Sequence, residues 1–363
     1  MGIAVTVPEG TEPSSSAACM SILGYDPVRD YIGRGAIEAA AMGIELAEGD
    51  VALRLNLVTI EDGRMASYSA GHITSEESHA LISELQDALE SDAGRLYPGV
   101  NYRHILVVRG AAELAEASFT PPHDISGQPV EGKTPAGPGT KVLLRLMEEA
   151  RPVLARSPVN ADRAARGLPQ ATDVWPFWPG LRPEGLESFE RKRGLRAAMT
   201  SGVDLLGGLA ELTGMTRLAI PGVTDGPDND YDAQAEGALA ALDEHDLVVI
   251  HIESPDEAGH AGDAAAKIAA IEAIDDRVVR RVIERAKAEP LRVLAMPDHP
   301  TPIQLKTHVG EPVPFVLWGE GVDALPGASF CERDAAATGL TVDPGRGVMD
   351  LLLDGSRVVR SDA

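Results

Sequence analysis

Two carboxylates and three imidazoles, Asp256, His260, Asp298, His299 and His308, fall within the stretch from Leu247 to His308. Carboxylate oxygen and imidazole nitrogen together suit Zn or Mn, and two ions could share such a set. The spacing alone does not assign a residue to an ion. The elements that must position these groups are legible around them. Leu247-Val248-Val249-Ile250-His251-Ile252 is an apolar run with the character of a buried strand. Asp256 and His260 follow its end. A helical pattern with Ile268, Ile271, Ile274, Val278 and Val282 on one face comes next. A second apolar strand, Arg292 to Met296, then delivers Asp298 and His299. Strand, helix and strand predict a βαβ unit, and open α/β sheets bind ligands outside the carboxyl ends of their strands.

Near the start, Ser14-Ser15-Ser16 precedes Ala17-Ala18-Cys19. Serines before an apolar run can cap a helix. The same helix start offers backbone N–H groups to a phosphate, and a serine there can act as a nucleophile if a metal lowers its pKa. Gly33-Arg34-Gly35 sets an arginine between glycines, which allow close backbone approach and leave Arg34 free to reach an anion. Taken singly, Arg54, His72, Arg109 and Arg163 read as surface residues.

Three segments resemble the metal motifs of cofactor-independent phosphoglycerate mutases of the archaeal-type branch, within the alkaline phosphatase superfamily. They are Asp256-Glu257-Ala258-Gly259-His260, Asp298-His299-Pro300-Thr301-Pro302 and His308-Val309-Gly310-Glu311-Pro312-Val313-Pro314. Ser21-Ile22-Leu23-Gly24-Tyr25-Asp26-Pro27 is similar to another family segment. Counting back from Gly24, the resemblance puts the nucleophilic serine on Ser15. The neighbours differ: the family's usual Gly-Ser-Asp-Val-Ala-Asn is Ser14-Ser15-Ser16-Ala17-Ala18-Cys19 here, which leaves Ser14 and Ser16 as rival nucleophiles.

The resemblance implies an alkaline-phosphatase-like α/β fold, a doubly wound sheet with an inserted smaller α/β domain. Residues 1–43 and 169–363 would form the metal-binding domain, with its first strand missing, and 44–168 the substrate-binding insert. The substrate would sit between them. The implied reaction interconverts 3- and 2-phosphoglycerate through a phosphoserine on Ser15. One ion would be held by Asp256, His260 and His308, and the other by Asp298, His299 and Ser15. Mn or Zn is expected, with Mg or Co as substitutes. Arg34, Arg54, His72, Arg109 and Arg163 would hold the phosphorylated acid, since guanidinium binds carboxylate and phosphate bidentately. Gln234 replaces a family lysine. The alternatives are a related metal-dependent phosphotransferase or phosphatase, resembling the proposed homoserine kinases of this branch, or an inactive truncated paralogue. The family begins with a strand ending in Asp-Gly that no segment of this chain matches, and a start assigned too late is the expectation.

Composition sets bounds. The 363 residues suffice for two domains, and 44% hydrophobic content is globular. The formal net charge of −24 argues against a nucleic-acid partner, because phosphate backbones call for Lys and Arg. No apolar run suits a membrane span, and no signal peptide is visible. The two cysteines, Cys19 and Cys331, make no disulfide framework, so a cytoplasmic protein is expected. A homo-oligomer is compatible with all of this.

Overall fold

The strand Val51–Glu61 shows how the sequence builds its half of the molecule. Val51 to Thr59 are all buried, and side chains alternate between the faces. Leu53, Leu55 and Leu57 join Leu81, Ile82, Leu85, Leu143, Leu146 and Met147 in one core, beneath the helices Ser75–Ala88 and Lys141–Arg156. Ala52 instead packs with Ala39, Ile105 and Val107. The first of these helices starts where Thr74-Ser75-Glu76-Glu77 predicts, in a reciprocal capping box between Thr74 and Glu77.

The computed structural model describes residues 1–30, 32–89, 94–182, 186–323 and 329–354. It divides into two compact units, Met1–Tyr31 with Gly185–Ala363, and Ile32–Glu184. No helix among the described residues is long and apolar enough to cross a membrane.

The Ile32–Glu184 unit carries an antiparallel sheet in which Val51–Glu61 pairs with Arg64–Ser67, Arg103–Val108 and Asp173–Leu181. Arg95–Tyr97 extends it along Arg103–Val108. This unit is wider than the 44–168 drawn from sequence. The helix Arg34–Ala41 packs on the sheet, and Asp173–Leu181 is paired along Val51–Val58, so both belong to it. The glycines flanking Arg34 do what the sequence asks: Gly33 has φ +87, and a Cβ on either would strike backbone, Pro179 at Gly33 and Ala52 at Gly35. Trp175 and Phe177 are core residues.

The other unit holds two sheets among its described residues. Leu247–Ile250 and Thr216–Arg217 flank Ala197–Thr200 in parallel. Arg292–Ala295 pairs antiparallel with Val313–Gly319, which pairs with Gly2–Ala4, itself parallel to Thr341–Val342. The strands expected as a βαβ pair, Leu247–Ile250 and Arg292–Ala295, therefore take different hydrogen-bonded neighbours. The apolar face of the intervening helix also differs from expectation. Ile274, Val278 and Val282 pack with Tyr231 and Ala235, whereas Ile268 and Ile271 are 58% and 52% exposed. A π turn at Ile274–Val279 lies between Ala264–Ala273 and Arg280–Ala288. Its wider i→i+5 turn breaks the helical register, so residues before it no longer share a face with those after it.

Candidate active site and metal centre

Asp256 and His260 sit one turn apart on the helix Ser254–Ala261, whose first turn carries Pro255, Asp256 and Glu257. An i,i+4 spacing puts both side chains on one face, and His260 Nε2 lies 3.1 Å from Asp256 Oδ2. His308 arrives from a loop, with Nε2 3.4 Å from Asp256 Oδ1 and 2.8 Å from His260 Nε2. The outer nitrogens fix both tautomers. His260 Nδ1 is 3.1 Å from the Lys306 carbonyl and His308 Nδ1 3.2 Å from the Pro13 carbonyl, so both Nδ1 atoms must donate. Two Nε2 lone pairs then converge on a carboxylate. Without a cation they repel unless a proton lies between them, and a divalent ion resolves the conflict. Backbone carbonyls on the outer imidazole nitrogens are the usual support of metal-ligating histidines. The donor set thus fits a metal ion.

Burial works to raise the Asp256 carboxyl, but when a proton rather than a metal ion lies between the two imidazoles, hydrogen bonds from His308 and Thr301 and the imidazole charge hold it well below the usual range. Burial pulls His308 down, and the Asp256 carboxylate more than restores it. Glu253, which the sequence reading passed over, is pushed up to about 8 by burial and by neighbouring Asp256, Asp298, Glu257 and Asp225.

Ser15 opens the helix Ser15–Ile22 and is 7% exposed. Its Oγ lies 3.0 Å from His299 Nε2. Burial lowers the His299 pKa, which favours the neutral ring. Its two rivals are occupied differently. Ser14 is the N-cap, accepting from Ala17 N–H, and its Oγ is 3.1 Å from that of Ser16. Asp298 Oδ2 stands 3.4 Å from His299 Nε2, and the His299 and His308 rings are 4.0 Å apart at their centroids. Ser15 and the five acid and imidazole residues are thus gathered in one unit.

The five predicted substrate residues all lie in the other unit. Arg34 stacks on Trp178, 4.0 Å from the ring centroid, and its Nε is 2.7 Å from Glu38. Arg54 is buried and ion-paired with the same Glu38 carboxylate. His72 and Arg109 are exposed in turns. Arg163 departs from expectation: it is 2% exposed and bonded to Glu77 and to the carbonyls of Pro169 and Ala70. A guanidinium held on three sides by its own unit is structural. Gln234, where the sequence suggested a lost charge, is fully buried, with Nε2 donating to the His251 carbonyl and Oε1 accepting from Asn229.

A sequence profile described as 2,3-bisphosphoglycerate-independent phosphoglycerate mutase matches residues 1–160. A protein of that name from Methanothrix thermoacetophila is 44% identical over 98% of this chain and 89% of its own length. The chain belongs to that mutase family. A Methanosarcina acetivorans member is 41% identical, covering 93% of this chain and 85% of its own. A solved cofactor-independent phosphoglycerate mutase from Thermoplasma acidophilum superposes with a TM-score of 0.66 at 26% identity, covering 97% of this chain and 88% of its own. A Pyrococcus horikoshii structure reaches 0.80 over 97% and 86%, at 24% identity, which speaks for the fold alone. The mixed α/β architecture expected from sequence is that of both solved structures. Membership of the family makes the chain one of a group of isomerases, and it carries residue groups able to hold metal.

Proposed function

We propose that this chain interconverts 3-phosphoglycerate and 2-phosphoglycerate with Ser15 as the phosphoryl carrier. The observation that carries the reading is the Ser15 Oγ, 3.0 Å from His299 Nε2 at the head of a helix, in the same unit as the converging Asp256, His260 and His308. Asp256, His260 and His308, and Asp298 and His299 beside Ser15, would hold two divalent ions, Mn or Zn, which when bound would supply Lewis-acid charge to the phosphoryl oxygens and lower the pKa of the serine.

Ser15 Oγ gives up its proton and forms a bond to phosphorus while the bond from phosphorus to the glycerate oxygen breaks, and that oxygen takes up a proton. The glycerate turns, its other hydroxyl gives up a proton and attacks phosphorus, the bond from phosphorus to Ser15 Oγ breaks, and Oγ takes up a proton. Backbone N–H groups at the start of the Ser15–Ile22 helix favour the anionic group. Arg34, His72 and Arg109, reachable by solvent, are the donors we assign to the substrate. Arg54 and Arg163 keep their unit in shape through Glu38 and Glu77. Free cysteines at 19 and 331 suit a cytoplasmic setting.

Phosphorus NMR of the chain with manganese and 3-phosphoglycerate tests the reading. The 2-phosphoglycerate resonance should grow to equilibrium, and Ser15→Ala should abolish it. Growth at an undiminished rate in Ser15→Ala, or none in the unaltered chain, overturns the assignment.

A further inference from the structure

Asp298 also belongs to a second group of donors, of which Cys19 and His251 are left unused by the account above. Cys19 stands on the helix that Ser15 opens, His251 directly follows the strand Leu247–Ile250, and Asp298 follows the strand Arg292–Ala295. One ligand atom from each lies within 4.8 Å of the others. Cys19 Sγ is 4.0 Å from Asp298 Oδ2, and Cys19 is 7% exposed.

The surroundings are not those of a cysteine that merely packs. Its neighbours include an imidazole and a carboxylate. Glu253 Oε2 adds a second carboxylate, 3.5 Å from His251 Nε2. Among the described residues, no Lys or Arg is ion-paired with Asp298 or Glu253. His251 is also set for ligation. Its Nδ1 is 3.0 Å from Ser201 Oγ, which accepts from Val203 N–H as well. With Nδ1–H donating to that hydroxyl, Nε2 keeps its lone pair, the arrangement that outer-shell partners impose on metal-binding histidines.

We propose that Cys19, His251 and Asp298 form a thiolate–imidazole–carboxylate site for a divalent cation, and that they complete the ligand set of the ion assigned above to Asp298. The inference rests on that reading for the ion's role, not for its existence. Binding replaces the thiol proton, which leaves to solvent as the sulfur–metal bond forms, and nothing is oxidised or reduced. The two ion sites then differ in kind. A thiolate selects zinc or cobalt, whereas the oxygen and nitrogen donors of Asp256, His260 and His308 also accept manganese. The chain would hold one zinc that manganese does not displace, next to one exchangeable ion.

Cobalt titration of the full chain, followed by absorption spectroscopy, tests this without turnover. Loading should produce a sulfur-to-cobalt charge-transfer band in the near ultraviolet that saturates at one equivalent. Cys19→Ser should abolish it and Cys331→Ser should leave it unchanged. Zinc-edge X-ray absorption on the unaltered chain, which needs no variant to fold, should show one sulfur at about 2.3 Å. No band at full cobalt loading, an undiminished band in a folded Cys19→Ser chain, or a zinc shell without sulfur overturns the proposal. A chain that shows the band but no conversion of 3-phosphoglycerate would instead overturn the mutase reading and leave the site standing.

Discussion

Replacing Glu38 by glutamine should destabilise the Ile32–Glu184 unit by about 2–3 kcal/mol. Glu38 and Arg54 side chains are only 12% and 9% exposed, and Arg34 shares the same carboxylate. Breaking a buried pair from one side costs about 3–5 kcal/mol, because the remaining charge is stranded. The amide oxygen still accepts from a guanidinium, and a hydrogen bond to a charged group returns about 1.5 kcal/mol. Hydrogen exchange of the Val51–Glu61 amides reads the loss in this unit alone, with protection falling by about thirtyfold to a hundred-and-fiftyfold. Glu38→Leu with Arg54→Met removes both buried charges and should recover most of the loss. The pH dependence has a definite sign. Burial raises the Glu38 carboxyl, but Arg54 and Arg34 hold it below its ordinary value. Its contribution is therefore present above the unfolded pKa and fades as pH falls through the depressed folded value. A loss below about 0.5 kcal/mol in Glu38→Gln, or a double variant no better than the single one, would refute the reasoning.

Two further outcomes follow from the same geometry. His104 is 1% exposed, and burial, then His79 and Arg54, lower its pKa to about 3. The unfolded chain binds this proton near pH 6.5 and the folded unit only near 3, so stability should drop by on the order of 4–5 kcal/mol across that window. Denaturant titrations at pH 7 and pH 4 should show about 3 kcal/mol of this drop, and His104→Gln should flatten it; a flat profile in the unaltered chain counts against a buried neutral imidazole. His260→Ala removes one of three converging donors. In calorimetric titration it should weaken one equivalent of divalent ion by more than the roughly 10–100-fold that loss of an outer partner costs; unchanged affinity would show that the ion does not use His260.

The sequence exposed the chemistry where ligands share a helix or follow apolar strands. Asp256 and His260 are readable from an i,i+4 spacing, and Asp298-His299 from its place after a strand. The backbone carbonyls that set the His260 and His308 tautomers leave no mark in composition. His251 was hidden as one more residue of an apolar run, and Cys19 as one of two unremarkable thiols. Both matter only because the fold brings their segments to Asp298. Glu38 did carry a signal, its i,i+4 spacing from Arg34, but pairing with Arg54 depends on the helix lying across the Val51–Glu61 strand. Arg163 resembled a ligand group because any arginine does; only its burial against Glu77, Ala70 and Pro169 shows that it is engaged. The apolar stripe from Ile268 to Val282 misled because a π turn cannot be read from a helical period.

The central claim is that Ser15 carries the phosphoryl group. Ser14 is engaged as a helix cap with its Oγ against Ser16, and the Ser15 Oγ faces His299. Rapid acid quenching of the manganese-loaded chain during turnover of 3-phosphoglycerate, followed by phosphopeptide mapping, should find the phosphate on Ser15. Phosphate on Ser14 or Ser16, or turnover with no phosphorylated serine at any quench time, would contradict the account.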